Sequence, residues 1–271
     1  MGALAGFAAF VYDPFAQGER MQPPAGGCCD GHNRYGALAE LLGTSAARQR
    51  IWDGMRALDY LETRADIRKD GFGCMGNSGG GTESALLEVA DPRIVAACPS
   101  CWISTLRDTC RACGPQDAEQ LTFGQLAFGF NHASYVLAGG NAVRVHCNFE
   151  DFFPYSGTCE TMTIVTNVAV RCGLGPRYGM TDVTGPHAWK ESSRTSSVLR
   201  THCVAAGGAG RDAFHLRNHR RKGLSGSHGE GSRRVDVCTL GLPMSPNGCP
   251  AVMFSPIFHS AGMTCFGFIE N

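Results

Sequence analysis

The sequence predicts an α/β fold, with a mainly parallel sheet and helices on both of its faces, and three observations predict it. Between about residues 72 and 98 the chain reads strand, glycine-rich turn, helix, strand: Phe72 to Met75 and Ile94 to Cys98 are short apolar runs, and Thr82 to Ala90 carries Leu86 and Leu87 among good helix formers. Further on, Val143, Val145 and Cys147 alternate with polar neighbours as a strand should, running into Glu150 and Asp151. Upstream, Ile51, Met55, Leu58 and Leu61 recur at spacings of four, three and three, which is one face of an amphipathic helix. Alternating strands and helices imply a parallel sheet, because parallel neighbours need a crossover connection.

Taken in order, residues 6 to 12, GFAAFVY, form an apolar, aromatic and β-branched run that Asp13-Pro14 stops, so they read as a buried strand. A loop rich in Gly, Pro and Cys is expected as far as about residue 35. The amphipathic helix then spans about Ser45 to Arg64, with Ser45 as its N-cap. Asp91-Pro92 ends the helix that follows the glycine turn. Beyond about residue 200 the chain becomes Gly/Ser-rich and locally basic, as in RNHRRKGLSGSHGEGSRR, and no sustained period remains to residue 271. The expected organisation is an α/β unit over residues 1–200 and an unassigned segment over 201–271. The basic run Arg220-Arg221-Lys222 reads as a solvated tail.

Composition narrows the function classes. With 271 residues, 43% of them hydrophobic, the chain can bury a sizeable core. A formal net charge of zero supplies no basic field for a nucleic acid or an anionic membrane, so neither is expected as a partner. No run approaches the roughly 20 apolar residues of a membrane span. The opening MGALAGFAAFVY imitates a signal peptide, but no positive charge precedes the apolar run, so it reads as the start of the fold. Fourteen cysteines, scattered apart from the adjacent Cys28 and Cys29, show no small disulfide framework, and a reduced, cytoplasmic protein is expected. The pairs Cys98/Cys101 and Cys110/Cys113 could supply four thiolates to zinc, but their eight-residue gap is shorter than the usual spacing of about 15 to 20. Buried or surface thiols without metal are the expectation there.

The turn GFGCMGNSGGGT, residues 71 to 82, fits three motifs. A dinucleotide fingerprint needs its glycines after a strand, whereas Gly71 and Gly73 lie before or inside one. A P-loop needs Lys before its last Ser or Thr, and Gly81 stands there before Thr82. The remaining motif, GxSxG over Gly76 to Gly80, presents a serine nucleophile on a tight strand-to-helix turn, where small neighbours let the backbone strain and Oγ project. Such a serine needs a base and a group to orient that base, following it along the chain as acid and then histidine. Asp151 or Glu150, at the end of a strand, and His187, in GPHAW, occupy those places.

Several longer segments carry a resemblance. YDPFAQGER, IWDGMRALDYLETR, GNSGGGTESALLEVADPRI with CPSCWIST after it, GPQDAEQ, EDFFPYSGT and GPHAWKES together resemble α/β-hydrolases of the acetyl xylan esterase and dienelactone-hydrolase-like group, over roughly residues 6 to 200. The resemblance implies that Ser78 is the nucleophile, Asp151 the acid, His187 the base and the Gly79 N–H one oxyanion donor. It implies hydrolysis of short-chain acyl esters, acetyl above all, on a small-molecule substrate such as an acetylated carbohydrate, with no metal or organic cofactor. It also implies a fold incomplete on its N-terminal side, because the family's earlier strands, and the loop carrying a second oxyanion donor, precede the strand that leads into YDPFAQGER. Two further readings follow: a weak or inactive relative with an incomplete oxyanion hole, and a cysteine-based zinc module.

Overall fold

The computed structural model describes residues 8–21, 28–112, 117–189, 251–252 and 263–268. The strands are β1 (Ala8–Tyr12), β2 (Arg68–Asn77), β3 (Ile94–Ser100), β4 (Ala142–Glu150), β5 (Tyr178–Pro186), β6 (Ala251–Val252) and β7 (Met263–Phe268). The helices are α1 (Cys29–Leu41), α2 (Ala46–Thr63), α3 (Gly79–Ala90), α4 (Leu106–Ala112), α5 (His132–Ala138) and α6 (Tyr155–Arg171). The seven strands form one sheet in the order β1-β6-β7-β2-β3-β4-β5. Neighbours from β2 to β5 are parallel, whereas β7 runs antiparallel to both β1 and β2. Among the described residues no helix is long and apolar enough to cross a membrane.

Why β3 is a continuous apolar run is now clear. All seven of its residues are buried, as expected of a central parallel strand covered on both faces. Leu58 and Leu61 of α2, Leu87 of α3, Phe72, Ile94, Trp102, Val145 and Val165 make one core cluster, and Ile51 and Met55 pack against it half-buried. Ser45 caps α2 as its sequence suggests, accepting from the Arg48 N–H at 3.2 Å.

The structure departs from one sequence expectation and adds elements for which no expectation was made. The stretch read as loop to about residue 35 is helical from Cys29, because α1 is fixed by packing rather than by propensity: His32 is fully buried, and Gly36 lies so close to Ala118 that a Cβ would fall 2.5 Å from that methyl. Helix α6 is rich in the β-branched residues of strands, yet Thr158, Thr161, Met162, Val165 and Ala169 share its buried side. Its threonines satisfy the connection after β3, Thr158 Oγ1 donating to Ile103 O and Thr161 Oγ1 to Ser104 O, each at 2.6 Å. Strand β5 is buried irregularly along its length. Finally, β6 and β7 come from the segment left unassigned beyond residue 200 and enter the sheet beside β1 and β2. The run Arg220-Arg221-Lys222 lies outside the described residues.

Candidate active site

The glycine turn joins β2 to α3, and Ser78 stands at the junction as the N-cap of α3. Its backbone is left-handed, φ 59° and ψ −119°, a conformation that costs a non-glycine residue free energy and is held here from both sides. The Ser78 N–H donates to Ser100 O at 2.9 Å, and Ser78 O accepts from the Thr82 N–H at 3.0 Å. Gly76 permits the sharp approach of strand to helix, since a Cβ there would lie 2.6 Å from the carbonyl of Gly80. Gly76→Ala is therefore expected to destabilise the fold by about 1–3 kcal/mol, measured by urea unfolding; an unchanged midpoint would show that the turn relaxes freely. Gly79 opens α3, where first-turn N–H groups have no intrahelical acceptor.

Asp151 and His187, far apart in sequence, meet because each follows the end of a strand and Glu150 of β4 pairs in register with Pro186 of β5. His187 Nδ1 lies 2.8 Å from Asp151 Oδ1, which also accepts from the Phe153 N–H at 3.0 Å. A carboxylate accepts, so Nδ1 is the donor in this bond. The Asp151 side chain is 2% exposed and that of His187 19%, with the Phe152 ring stacked on the imidazole at 4.1 Å. Glu150, the competing acid, is exposed. The elbow and this pair share the C-terminal edge of the parallel strands. Ser78 is bonded to Ser100, and the next residue, Cys101, places Sγ within 4.8 Å of ligand atoms of both Asp151 and His187.

No known protein-family profile and no curated protein sequence matches the chain. Solved structures do. The glucuronoyl esterase from Sporotrichum thermophile superposes with a TM-score of 0.50 at 16% identity, over 58% of this chain and 51% of that one. The glucuronoyl esterase catalytic domain from Hypocrea jecorina gives 0.49 at 18%, over 60% and 52%. A methylesterase gives 0.45 at 20%, over 56% and 34%. The fold is that of an α/β-hydrolase. The chain spans about half the length of the glucuronoyl esterases it matches.

Within this α/β-hydrolase sheet, Cys101 is the site neighbour that sequence reading missed, having grouped it with Cys98. Its backbone is left-handed, φ 53°, and its N–H donates to His146 O at 3.0 Å. Burial, together with the charge of Asp151, pushes its thiol well above the usual range, so it is a neutral group and not a thiolate nucleophile. Cys98, Cys101 and Cys110 do not converge on one ligand set among the described residues, and Cys113 lies outside them.

Two buried histidines sit behind the site. His146 Nδ1 is 2.8 Å from Ser100 Oγ, which donates to Asn77 Oδ1 at 2.9 Å, so Nδ1 is the donor to Ser100 and Nε2 is left bare. His132 Nδ1 lies 2.8 Å from Ser104 N and 2.9 Å from Ser104 O. Burial lowers both to about 4. Their neutral forms are retained in the fold while the unfolded chain takes up protons near pH 6.5, so stability is complete above that value and is lost as pH falls toward 4. On the order of 3 kcal/mol each is expected to disappear by pH 4. Urea unfolding at pH 7 and pH 5 checks this, and His132→Gln showing the same pH slope as the native chain would refute it for His132.

Beneath the elbow lies a buried charge network. Arg50, 2% exposed, donates from Nη2 to Glu83 Oε2 at 2.9 Å and pairs through Nη1 with Glu119. Glu83 Oε1 accepts from Tyr12 Oη at 2.6 Å. His32 Nδ1 lies 2.9 Å from Asp117 Oδ2, and its Nε2 lies 2.9 Å from Phe15 O and 3.3 Å from Arg50 Nη1. Burial opposes a charge on the ring, but the Asp117 bond and the Glu119 charge outweigh it and raise the His32 pKa. Burial pushes Glu119 up to about 7 despite Arg50. Glu119 packs where a Gly79 side chain would stand, which is why position 79 has none.

Proposed function

We propose that the protein is a serine hydrolase of carboxylic esters, with Ser78 as nucleophile, His187 as base and Asp151 as the residue that orients the base. The observation that carries this reading is the 2.8 Å bond between His187 Nδ1 and Asp151 Oδ1 just past the ends of β4 and β5, with the strained serine turn at the same end of the parallel strands. Nε2 of His187 takes the Ser78 proton as Oγ attacks the ester carbonyl, and Asp151 stabilises the imidazolium that forms. The Gly79 N–H, at the N-terminus of α3, meets the developing oxyanion. His187 then protonates the leaving alcohol. Water, deprotonated by the same ring, releases the acyl group and restores the serine.

For the substrate we propose a small ester of a short acyl group, acetyl first, borne on a carbohydrate. The sequence resemblance supports acetyl, and the structural likeness to a glucuronoyl esterase supports a carbohydrate ester more generally. Hydrolysis of p-nitrophenyl acetate, followed by acetylated sugars and a methyl glucuronate side by side, tests the reading and ranks the substrates. A full-length, folded protein that neither turns over any of these esters nor reacts with a fluorophosphonate at Ser78 would overturn it.

A further inference from the structure

Among the described residues, Cys28 and Cys29 at the start of α1 hold their Sγ atoms 3.8 Å apart. A carboxylate oxygen of Asp117 lies within 4.8 Å of both. Tetrahedral coordination with Zn–S bonds of about 2.3 Å sets two sulfurs about 3.8 Å apart, whereas a disulfide needs about 2.05 Å. The thiols are therefore spaced to share an ion rather than to bond to each other. We propose that Cys28, Cys29 and Asp117 form a binding site for a zinc-class divalent cation, with a fourth position open to solvent.

Two sulfurs and one carboxylate oxygen suit zinc or cadmium and discriminate against magnesium and calcium, which take oxygen ligands. The carboxylate is already aimed: His32 Nδ1 holds it at 2.9 Å and the Glu119 N–H at 3.1 Å, the outer-shell support that metal ligands commonly receive. Gln17 Nε2 reaches Cys28 Sγ at 3.9 Å. Access is graded in the same sense, with Asp117 buried, Cys28 half-buried and Cys29 exposed, so an ion arrives from solvent onto a prepared floor. Binding turns two thiols into two thiolates and releases two protons to the medium. Because each thiol must lose its proton to bind the ion, affinity is expected to rise with pH.

The two other groups of potential ligands offer fewer thiols: one sets the single Cys101 beside Asp151 and His187, which are bonded to each other, and the His32–Asp117–Glu119 group has none.

The test titrates the whole, reduced chain with Cd2+ and follows the thiolate-to-metal charge-transfer absorbance, in the native protein, in C28S/C29S and in C101S. The tightest equivalent is expected to bind through two thiolates, to be displaced by Zn2+, and to weaken by about 100-fold or more in C28S/C29S while staying unchanged in C101S. An equal thermal midpoint for C28S/C29S shows that the loss is of ligands and not of fold. Tight binding that persists in C28S/C29S, or that vanishes only in C101S, would overturn the assignment, as would the absence of any such band. Ester hydrolysis plays no part in this readout, so the site stands or falls separately from the proposed activity.

Discussion

Ser78→Ala is expected to lower ester hydrolysis by roughly four to six orders of magnitude and to abolish fluorophosphonate labelling, while leaving the fold intact. The size follows from the division of labour. Without Oγ no acyl-enzyme forms, and only binding and the Gly79 N–H remain to favour direct attack by water. Alanine also keeps the left-handed backbone that serine tolerates at φ 59°, and removes one oxygen atom without adding bulk. His187→Ala is expected to cost a similar amount, because the two residues act as a unit, and the double variant little more. Asp151→Asn should cost about 10⁴, since the amide can present an N–H to Nδ1 and so favour the wrong tautomer. Additive losses in the Ser78/His187 double variant, or labelling that survives Ser78→Ala, would show that the reactive group lies elsewhere.

Arg50→Ala carries the largest expected effect on stability, about 3–5 kcal/mol, out of the 5–15 kcal/mol typical of a folded domain. The guanidinium is the cation that both Glu83 and Glu119 face, and its removal leaves two fully buried carboxyl groups with much of their compensation gone. Its pH dependence distinguishes this cause from lost packing. In the native chain Glu119 is already raised to about 7, so it contributes stability in full below its unfolded value and loses it as pH rises through 7. Without Arg50 both carboxyls are driven higher, and the destabilisation should be greater at pH 8 than at pH 5. Urea unfolding at the two values decides it: a loss below 1 kcal/mol, or one equal at both, would mean that the charges are screened or relaxed.

Much of the candidate site was legible in the sequence, and the reason is local. Ser78 sits in a turn whose glycines are demanded by contacts a few residues away, such as Gly76 against Gly80, and strand-turn-helix chemistry is written in consecutive residues. From the residues alone Asp151 stood level with Glu150 at a strand end and His187 was one histidine in GPHAW; the family resemblance favoured Asp151 and His187, and register and burial supply the physical difference from Glu150. The charge network was harder still. Tyr12, Asp117 and Glu119 lie in the segments YDPFAQGER and GPQDAEQ, which carry the family resemblance without an evident chemical task, and their common task appears only when Arg50 and His32 bring them together. Helix α6 was invisible because its threonines resemble strand residues until their hydroxyls find carbonyls after β3.

The placement of β7 sets an order of assembly. β2 to β5 pair through successive crossovers, so each closes a modest loop onto its neighbour. Strand β1 is different: among the described residues it pairs only with β6 and β7, and β7 pairs Phe266 with Gly73 across most of the sequence. The entropy of that long closure must be met before any of its contacts repay it, which makes it a slow, late event. Until β7 arrives, β1 has no rail to lie on, Tyr12 has no fixed approach to Glu83, and the charged centre under Ser78 lacks one of its walls. The parallel half of the sheet can therefore form from nearby pieces, but the floor of the candidate active site waits for the two distant ends of the chain to find each other.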